Sequence, residues 1–274
     1  MKLGLSSYTF PWAIGIPGYE NDHCMSPIEL VEATKELGGS VLQLADNMPV
    51  HAFEAAQRRE IVAAAAGAGI ELELGTKGLG GENLERYLEL AAEMQASVLR
   101  AVPEIDLQPG DVRAVNCAVQ RTAAELKKIV SDLERAEITL CIENYEGWPV
   151  AALAGVVEML DSPHIRICLD TVNSLGRGED LEKVVTTLAP LVGNLHIKDF
   201  VTRRVPHRLG FVIEGAPAGA GLLPVREILG KMLPTISVIL EQWTPLGDSI
   251  AETVACEHGW AKEGMSVLRV MLEG

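Results

Sequence analysis

Eight short aliphatic runs, each followed by a segment of helical period, constrain this chain more than any other feature. They are KLGLSS from Lys2, SVLQLA from Ser40, IELELG from Ile70, SVLRAV from Ser97, ITLCIE from Ile138, IRICLD from Ile165, VGNLHIK from Val192 and ISVILE from Ile236. Their β-branched and aliphatic content is that of buried strands. The helical signals are local. Ser26-Pro27-Ile28-Glu29 supplies a capping hydroxyl, a proline at the first helical position and an acid in the first turn. Glu82 to Gln95 aligns Leu84, Leu88, Ala91 and Ala92 on one face, and Val112 to Ala136 is the longest helical pattern. Gly38, Gly67 and Gly69 stand where helices end and a left-handed residue is useful.

Regular alternation of this kind predicts parallel βα units. Eight units of about 34 residues match a closed (β/α)8 TIM barrel of the α/β class. No Pro/Ser-rich linker divides the chain, so one domain over residues 1–274 is expected. The rival fold, an open doubly wound sheet, would place a glycine-rich turn after the first strand, and that turn reads SSYTFPW.

Composition narrows the function. A hydrophobic content of 48% supplies a full core, and a net charge of -15 gives an acidic surface that repels nucleic acid phosphates and anionic membrane faces. No nucleic acid and no membrane partner is expected. The five cysteines form no CxxC pair, and Cys141 and Cys168 lie inside strand-like runs, which points to reduced thiols and a cytoplasmic protein. The start, MKLGLSSYTFPW, turns polar too early for a signal peptide, and no run approaches the roughly 18 apolar residues of a membrane span.

The active site of such a barrel lies at the C-terminal ends of its strands. The last four candidate strands end in Glu143, Asp170, His196 and Glu241, preceded by TLCI, RICL, VGNL and SVIL. Any one of these reads equally well as a loop-entry residue. Together they bring three carboxylates and an imidazole to one rim, where repulsion and desolvation are costly and a divalent cation relieves both. Three oxygen ligands and one nitrogen suit one divalent metal ion, Mn2+ first, with Mg2+, Co2+ or Zn2+ as alternatives. The absence of cysteine from the set argues against structural zinc.

CIEN at Cys141 to Asn144, LDTVNS at Leu169 to Ser174, HIKD at His196 to Asp199 and LEQW at Leu240 to Trp243 resemble motifs of a known superfamily. It is the sugar isomerase/epimerase superfamily of xylose-isomerase-like TIM barrels, which includes ketose 3-epimerases, hydroxypyruvate isomerase and inosose dehydratase. The resemblance spans the whole barrel order. It implies that Glu143, Asp170, His196 and Glu241 bind one divalent metal, and that Glu143 and Glu241 also act as the catalytic acid/base pair on opposite faces of the substrate. The activity implied is isomerisation or epimerisation of a sugar or polyol-derived ketone, by proton transfer through a metal-stabilised enediolate. One position departs from the pattern. Many members carry a histidine three residues after the strand-six aspartate, and here Asn173 stands there. An amide binds hydroxyls but does not shuttle protons near neutral pH. A lyase on the same scaffold therefore stays open: dehydration of a keto sugar or inosose, or cleavage of a 3-keto glycoside.

Further candidates surround this set. In relatives an arginine after strand seven reaches substrate, which nominates Arg208 in VPHRLGF with its neighbour His207; the loop from Val201 to Leu222 is long enough for a lid. Both residues read alternatively as solvated loop positions. Lys198, two residues past His196, points to the same side and either binds a substrate oxygen or neutralises the rim, while Asp199 points away. Glu73 and Arg100 on the third and fourth strands face the mouth as substrate groups or pair with each other. Trp12 and Trp243 stack on a sugar or belong to the core. Asp46 and Asn47 bind hydroxyls or shape a turn. GAPAGAG, Gly215 to Gly221, does not directly follow a strand and is weak support for a dinucleotide.

The expected partner is a small carbohydrate, and the resemblance adds a possible homo-oligomer. An abasic-site endonuclease of related fold would need a histidine-rich zinc cluster and a basic groove, which an acidic chain with six histidines does not supply. A non-catalytic binding barrel would take up no divalent metal.

Overall fold

In the computed structural model, which describes residues 1–19 and 21–273, all eight expected runs form strands. They are β1 (Lys2–Ser6), β2 (Val41–Leu44), β3 (Glu71–Lys77), β4 (Val98–Val102), β5 (Thr139–Glu143), β6 (Ile165–Asp170), β7 (Val192–Ile197) and, after an inserted hairpin of β8 (Asp199–Arg204) and β9 (Phe211–Ala216), β10 (Ser237–Leu240). The helices are α1 (Pro11–Ile14), α2 (Pro27–Glu36), α3 (Ala55–Ala68), α4 (Gly81–Glu93), α5 (Val112–Lys127), α6 (Val130–Ala136), α7 (Val150–Leu160), α8 (Leu181–Leu188), α9 (Val225–Leu229) and α10 (Ile250–Glu273). The parallel barrel closes through β1 paired with both β2 and β10, and β10 with β7. Among the described residues no helix is long and apolar enough to cross a membrane.

Strand alternation sorts the side chains. Leu5, Leu42, Leu74, Leu99, Leu140, Leu169, Leu195 and Leu240 are all buried in the main core cluster together with helix residues such as Leu30, Leu84, Leu126, Leu153 and Leu268. Each such burial contributes about 1.5–3 kcal/mol. The alternate positions of β2, β3, β7 and β10 are polar and meet one another across the barrel. Gln43 Nε2 on β2 donates to Glu73 Oε2 on β3 at 3.0 Å and to Asn194 Oδ1 on β7 at 3.2 Å. Asn194 Nδ2 donates to Glu73 Oε2 at 3.0 Å and to Ser237 Oγ at 2.7 Å. Burial raises the Glu73 carboxyl above its ordinary value, against the hydrogen bonds it accepts from Ser237, Gln43 and Asn194.

Local signals held at α2, where Ser26 and Glu29 form a reciprocal capping box with Pro27 at the first turn, and at the left-handed Gly69 that ends α3. Two expectations are corrected. The pattern from Val112 to Ala136 breaks at Lys128 and Ile129 into α5 and α6, leaving the 24-residue α10 as the longest helix. Gly67 lies inside α3.

The segment expected as a lid loop is largely the β8–β9 hairpin, because Val201, Thr202, Phe211, Val212 and Ile213 have the β-branched and aromatic character of strands. Its root is tied to the barrel. Asp199 accepts backbone N–H groups from Phe200, Gly219, Gly221 and Leu223, which matches its expected structural role. Gly215 packs so tightly on the Trp243 carbonyl that any Cβ there would overlap it.

Candidate active site

β5 and β6 deliver Glu143 and Asp170 as their last residues, β7 presents His196, and β10 exits into Glu241. All four are buried. Ligand-capable atoms of Asp170, His196 and Glu241 lie within 4.8 Å of one another, and those of Glu143, Cys168 and His196 form an overlapping group of the same size. His196 Nδ1 is 3.4 Å from Glu241 Oε1 and 3.8 Å from Glu143 Oε2.

The carboxylates are held by different partners. Asp170 Oδ1 accepts the backbone N–H groups of Val172 and Asn173, each at 2.9 Å, and Ser6 Oγ donates to Glu241 Oε1 at 2.7 Å. Asn173 Nδ2 donates to Glu143 Oε1 at 2.8 Å, and Arg100 forms a buried ion pair with Glu143 Oε2. Lys198 Nζ stands between Asp170 Oδ2 at 2.7 Å and Glu241 Oε2 at 2.9 Å.

Burial disfavours every charge here, and the partners decide which survive. It pushes the Glu143 carboxyl above its ordinary value, against the pull of Arg100, His196 and Lys198. For Glu241 burial is outweighed, and His196 with Lys198 holds it well below its ordinary value. His196 and Lys198 are raised despite burial, by Glu241 and Glu143 for the imidazole and by Asp170 and Glu241 for the ammonium.

Both ring nitrogens of His196 are buried without a hydrogen-bond partner among the described residues, and Asp170 Oδ2 and Glu241 Oε2 meet only the Lys198 ammonium. Such atoms are costly unless a ligand uses them. Hard carboxylate oxygens with one imidazole suit a divalent cation, so this donor set fits the metal expected from the sequence. Lys198, held between two of those oxygens, is the cation in their midst.

Above the set opens a cleft of about 520 Å³, lined among others by Tyr8, Lys77, Arg100, Asn173, Lys198 and Trp243, a size that admits a small metabolite. Lys198 Nζ lies 5.6 Å from the centre of the Trp243 ring. Asp46 accepts from Arg100 at 2.8 Å and Tyr8 at 2.9 Å and pairs with Lys77 at 2.9 Å, which places it in the cleft wall.

Glu143, Asp170, His196, Glu241, Lys198, Asn173, Arg100 and Trp243 are thus brought together. Four expected substrate residues are not. Glu73 is inward-facing but deeper, because β3 is staggered so that Gly75, not Glu73, pairs with Arg100; it belongs to the polar layer below. Trp12 uses its Nε1 to donate to the Thr244 carbonyl at 2.8 Å and packs edge-on to Tyr19, outside the cleft. Arg208 and His207 sit in the exposed turn at the far end of the hairpin, Arg208 with a φ of +66°, and neither lines the cleft. Asn47 exchanges hydrogen bonds with Ser7 and shapes a turn. Ser6, Tyr8 and Lys77 were not nominated from the sequence; the strand-end rule extended to β1 and β3 picks out Ser6 and Lys77, while Tyr8 lies in the short helical turn Ser7–Thr9 beyond β1.

The wider kinship agrees with this geometry. The model of the xylose isomerase-like TIM barrel family matches residues 31–270. The chain is 32% identical over 275 residues to the 3-oxo-isoapionate decarboxylase of Pectobacterium atrosepticum, covering 98% of this chain and 95% of that one. Among solved structures it superposes on a D-psicose 3-epimerase with a TM-score of 0.73 at 19% identity, covering 100% of both chains. It superposes on the probable 3-DHS dehydratase AsbF of Bacillus anthracis with a TM-score of 0.72 at 14% identity, covering 98% of this chain and 99% of that one. The two superpositions establish the fold; the sequence matches go further, and the chain belongs to the xylose isomerase-like TIM barrel family of enzymes.

Proposed function

We propose that this protein is a metal-dependent lyase that decarboxylates a sugar-derived 3-oxo acid. The observation that carries this reading is the engagement of Glu143: Asn173 holds one oxygen and Arg100 the other. Epimerisation by two bases needs a free carboxylate oxygen on each face of the substrate. Loss of carbon dioxide needs no C–H abstraction, only a sink for the electron pair and one proton returned. The 32% identity to a 3-oxo acid decarboxylase over nearly the whole chain supports the same class.

In this reading Glu143, Asp170, His196 and Glu241 hold one divalent ion. When bound, that ion supplies the positive charge against which the ketone oxygen becomes negative. The bond from C2 to the carboxylate carbon breaks, carbon dioxide leaves, and the electron pair stays on C2, delocalised toward the C3 ketone. Lys198 attracts the substrate carboxylate into the cleft and afterwards donates a proton to C2 from Nζ. Asp170 and Glu241 keep it charged for both tasks. Tyr8 and Trp243 form walls that limit water around the carbanion.

A second reading, isomerisation or epimerisation of a ketose, is favoured by one feature. Glu143 and Glu241 both approach the same Nδ1 of His196, so both carboxylates border one centre. The test is incubation with sugar-derived 3-oxo acids and with ketoses in D2O containing Mn2+. The lyase reading expects release of carbon dioxide and one deuterium on the product carbon that was C2 of the substrate. Deuterated ketose of altered stereochemistry without gas release would replace it with the second reading, and no turnover of either class would overturn both.

A further inference from the structure

The two groups of ligand-capable atoms in the candidate site share His196 and differ in their other members. One completes the set with oxygens of Asp170 and Glu241, the other with Glu143 and the thiol of Cys168. Cys168 does not end a strand, and strand alternation explains its presence. In IRICLD the side chains of Ile165, Ile167 and Leu169 enter the core cluster, so Arg166, Cys168 and Asp170 turn to the opposite face. Cys168 therefore stands one alternation, about 6.6 Å along the strand, below Asp170. It pairs in register with Glu143 on β5 and with Asn194 on β7.

This thiol is placed for more than packing. It is fully buried, and its S–H donates to Asn194 Oδ1 at 3.2 Å, a bond that uses the hydrogen and not the sulfur lone pairs. His196 is equally buried, with neither ring nitrogen partnered among the described residues. Ligands of one tetrahedral zinc ion stand about 3.5 Å apart. Sulfur, imidazole nitrogen and carboxylate oxygen all within 4.8 Å of one another reach that spacing by small side-chain adjustments. Arg100 shares Glu143 through Oε2, and a carboxylate has lone pairs for both partners.

The two sets differ in chemical character. Carboxylates suit hard ions such as Mn2+ and Mg2+, whereas a thiolate with an imidazole favours Zn2+ and its spectroscopic substitute Co2+. They differ also in what they displace. An ion at Asp170 Oδ2 and Glu241 Oε2 competes with Lys198 for both oxygens, and the thiol set includes neither of those carboxylates.

We propose that Cys168 is a further metal ligand, which with Glu143 and His196 takes a thiophilic divalent ion, Zn2+ or Co2+, while Mn2+ and Mg2+ rely on Asp170 and Glu241. This rests on the metal-dependent reading given above. As the ion binds, the S–H bond breaks, the proton leaves to solvent, and the sulfur electron pair forms the bond to the metal. The identity of the ion then decides whether Lys198 keeps both of its carboxylate partners.

Electronic absorption of the reduced, full-length chain loaded with Co2+ tests this. Wild type is expected to show a near-ultraviolet sulfur-to-cobalt charge-transfer band, which Cys168→Ser should lose and Cys141→Ser, at the other buried thiol, should keep. Serine preserves the donation to Asn194, and unchanged Mn2+ uptake by Cys168→Ser reports an intact centre. In competition with a chromophoric chelator, Cys168→Ser should bind Zn2+ at least about tenfold more weakly than wild type. Lys198→Met, which frees the two carboxylates, should tighten Mn2+ and leave Zn2+ affinity unchanged. Co2+ uptake without the band, a band that survives Cys168→Ser, or equal weakening of Zn2+ and Mn2+ by that variant would each overturn the assignment of Cys168 alone. A wild-type chain that takes up neither Mn2+ nor Co2+ would overturn it together with the metal reading beneath it.

Discussion

Asn173 Nδ2 donates to Glu143 Oε1 at 2.8 Å, so the residue standing where many relatives have a histidine is spent on orienting a carboxylate. A neutral donor to a carboxylate is worth about 1.5–3 kcal/mol when buried. Asn173→Ala is expected to lower kcat/KM by about 10- to 100-fold. Asn173→Asp, which sets two carboxylates against each other, should be worse. Steady-state kinetics with matched thermal unfolding checks both.

Lys198 competes with any divalent ion for Asp170 Oδ2 and Glu241 Oε2. Removing it should therefore improve metal binding while removing the proposed proton donor. Lys198→Met is expected to bind Mn2+ at least about tenfold more tightly and to turn over about 100- to 10,000-fold more slowly. Mn2+ titration followed by electron paramagnetic resonance, beside turnover at saturating metal, separates the two effects. Tighter binding with unchanged turnover would remove Lys198 from the chemistry.

Metal removal gives a complementary check. The chain dialysed against chelator should regain one Mn2+ per molecule, and Asp170→Ala or His196→Ala should each weaken that uptake by at least about tenfold, since each removes a ligand. Stoichiometry by elemental analysis decides, and a wild-type chain that takes up none would refute the metal assignment.

Glu257 predicts a pH dependence of stability remote from the cleft. Its carboxylate accepts the N–H groups of Trp12 at 3.0 Å and Ala13 at 2.9 Å, and burial raises its pKa to about 7. The folded state therefore keeps a proton that the unfolded state releases near 4.5. Stability is full below the unfolded value and declines as pH rises through about 7, by roughly 3 kcal/mol at about 1.36 kcal/mol per unit. Melting temperatures from pH 5 to 8 should fall in wild type and stay flatter in Glu257→Gln.

Glu73 offers a test of the polar layer below the cleft. Burial favours the uncharged carboxyl of Glu73, which an amide closely mimics, so Glu73→Gln should change stability by less than about 1 kcal/mol. Glu73→Ala strands Gln43, Asn194 and Ser237 and should cost about 2–4 kcal/mol. Urea unfolding distinguishes these, and a large stabilisation by Glu73→Gln would mean that the carboxyl is charged.

The barrel and its rim were legible because strand period and strand end are properties of short runs. IRICLD states both its buried alternation and its terminal aspartate, and β6 spans those same residues. Depth was not legible. Glu73 and Arg100 both face inward, but only the stagger between β3 and β4 decides that one reaches the mouth and the other does not. The hairpin was missed for a related reason: its pairing is between Val201–Arg204 and Phe211–Glu214, two halves whose partnership no local period announces. Trp12 shows a third limit, since its destination depended on a backbone carbonyl 232 positions away.

The close packing of Gly215 on the Trp243 carbonyl has a consequence for how such a chain could diversify. Gly215 seats the root of the hairpin against Trp243, which lines the cleft, whereas the stretch from Arg204 to Phe211 can be lengthened, recharged or exchanged without moving a group that lines it. The outer hairpin and the cleft can thus change independently, with a single glycine marking the border between them.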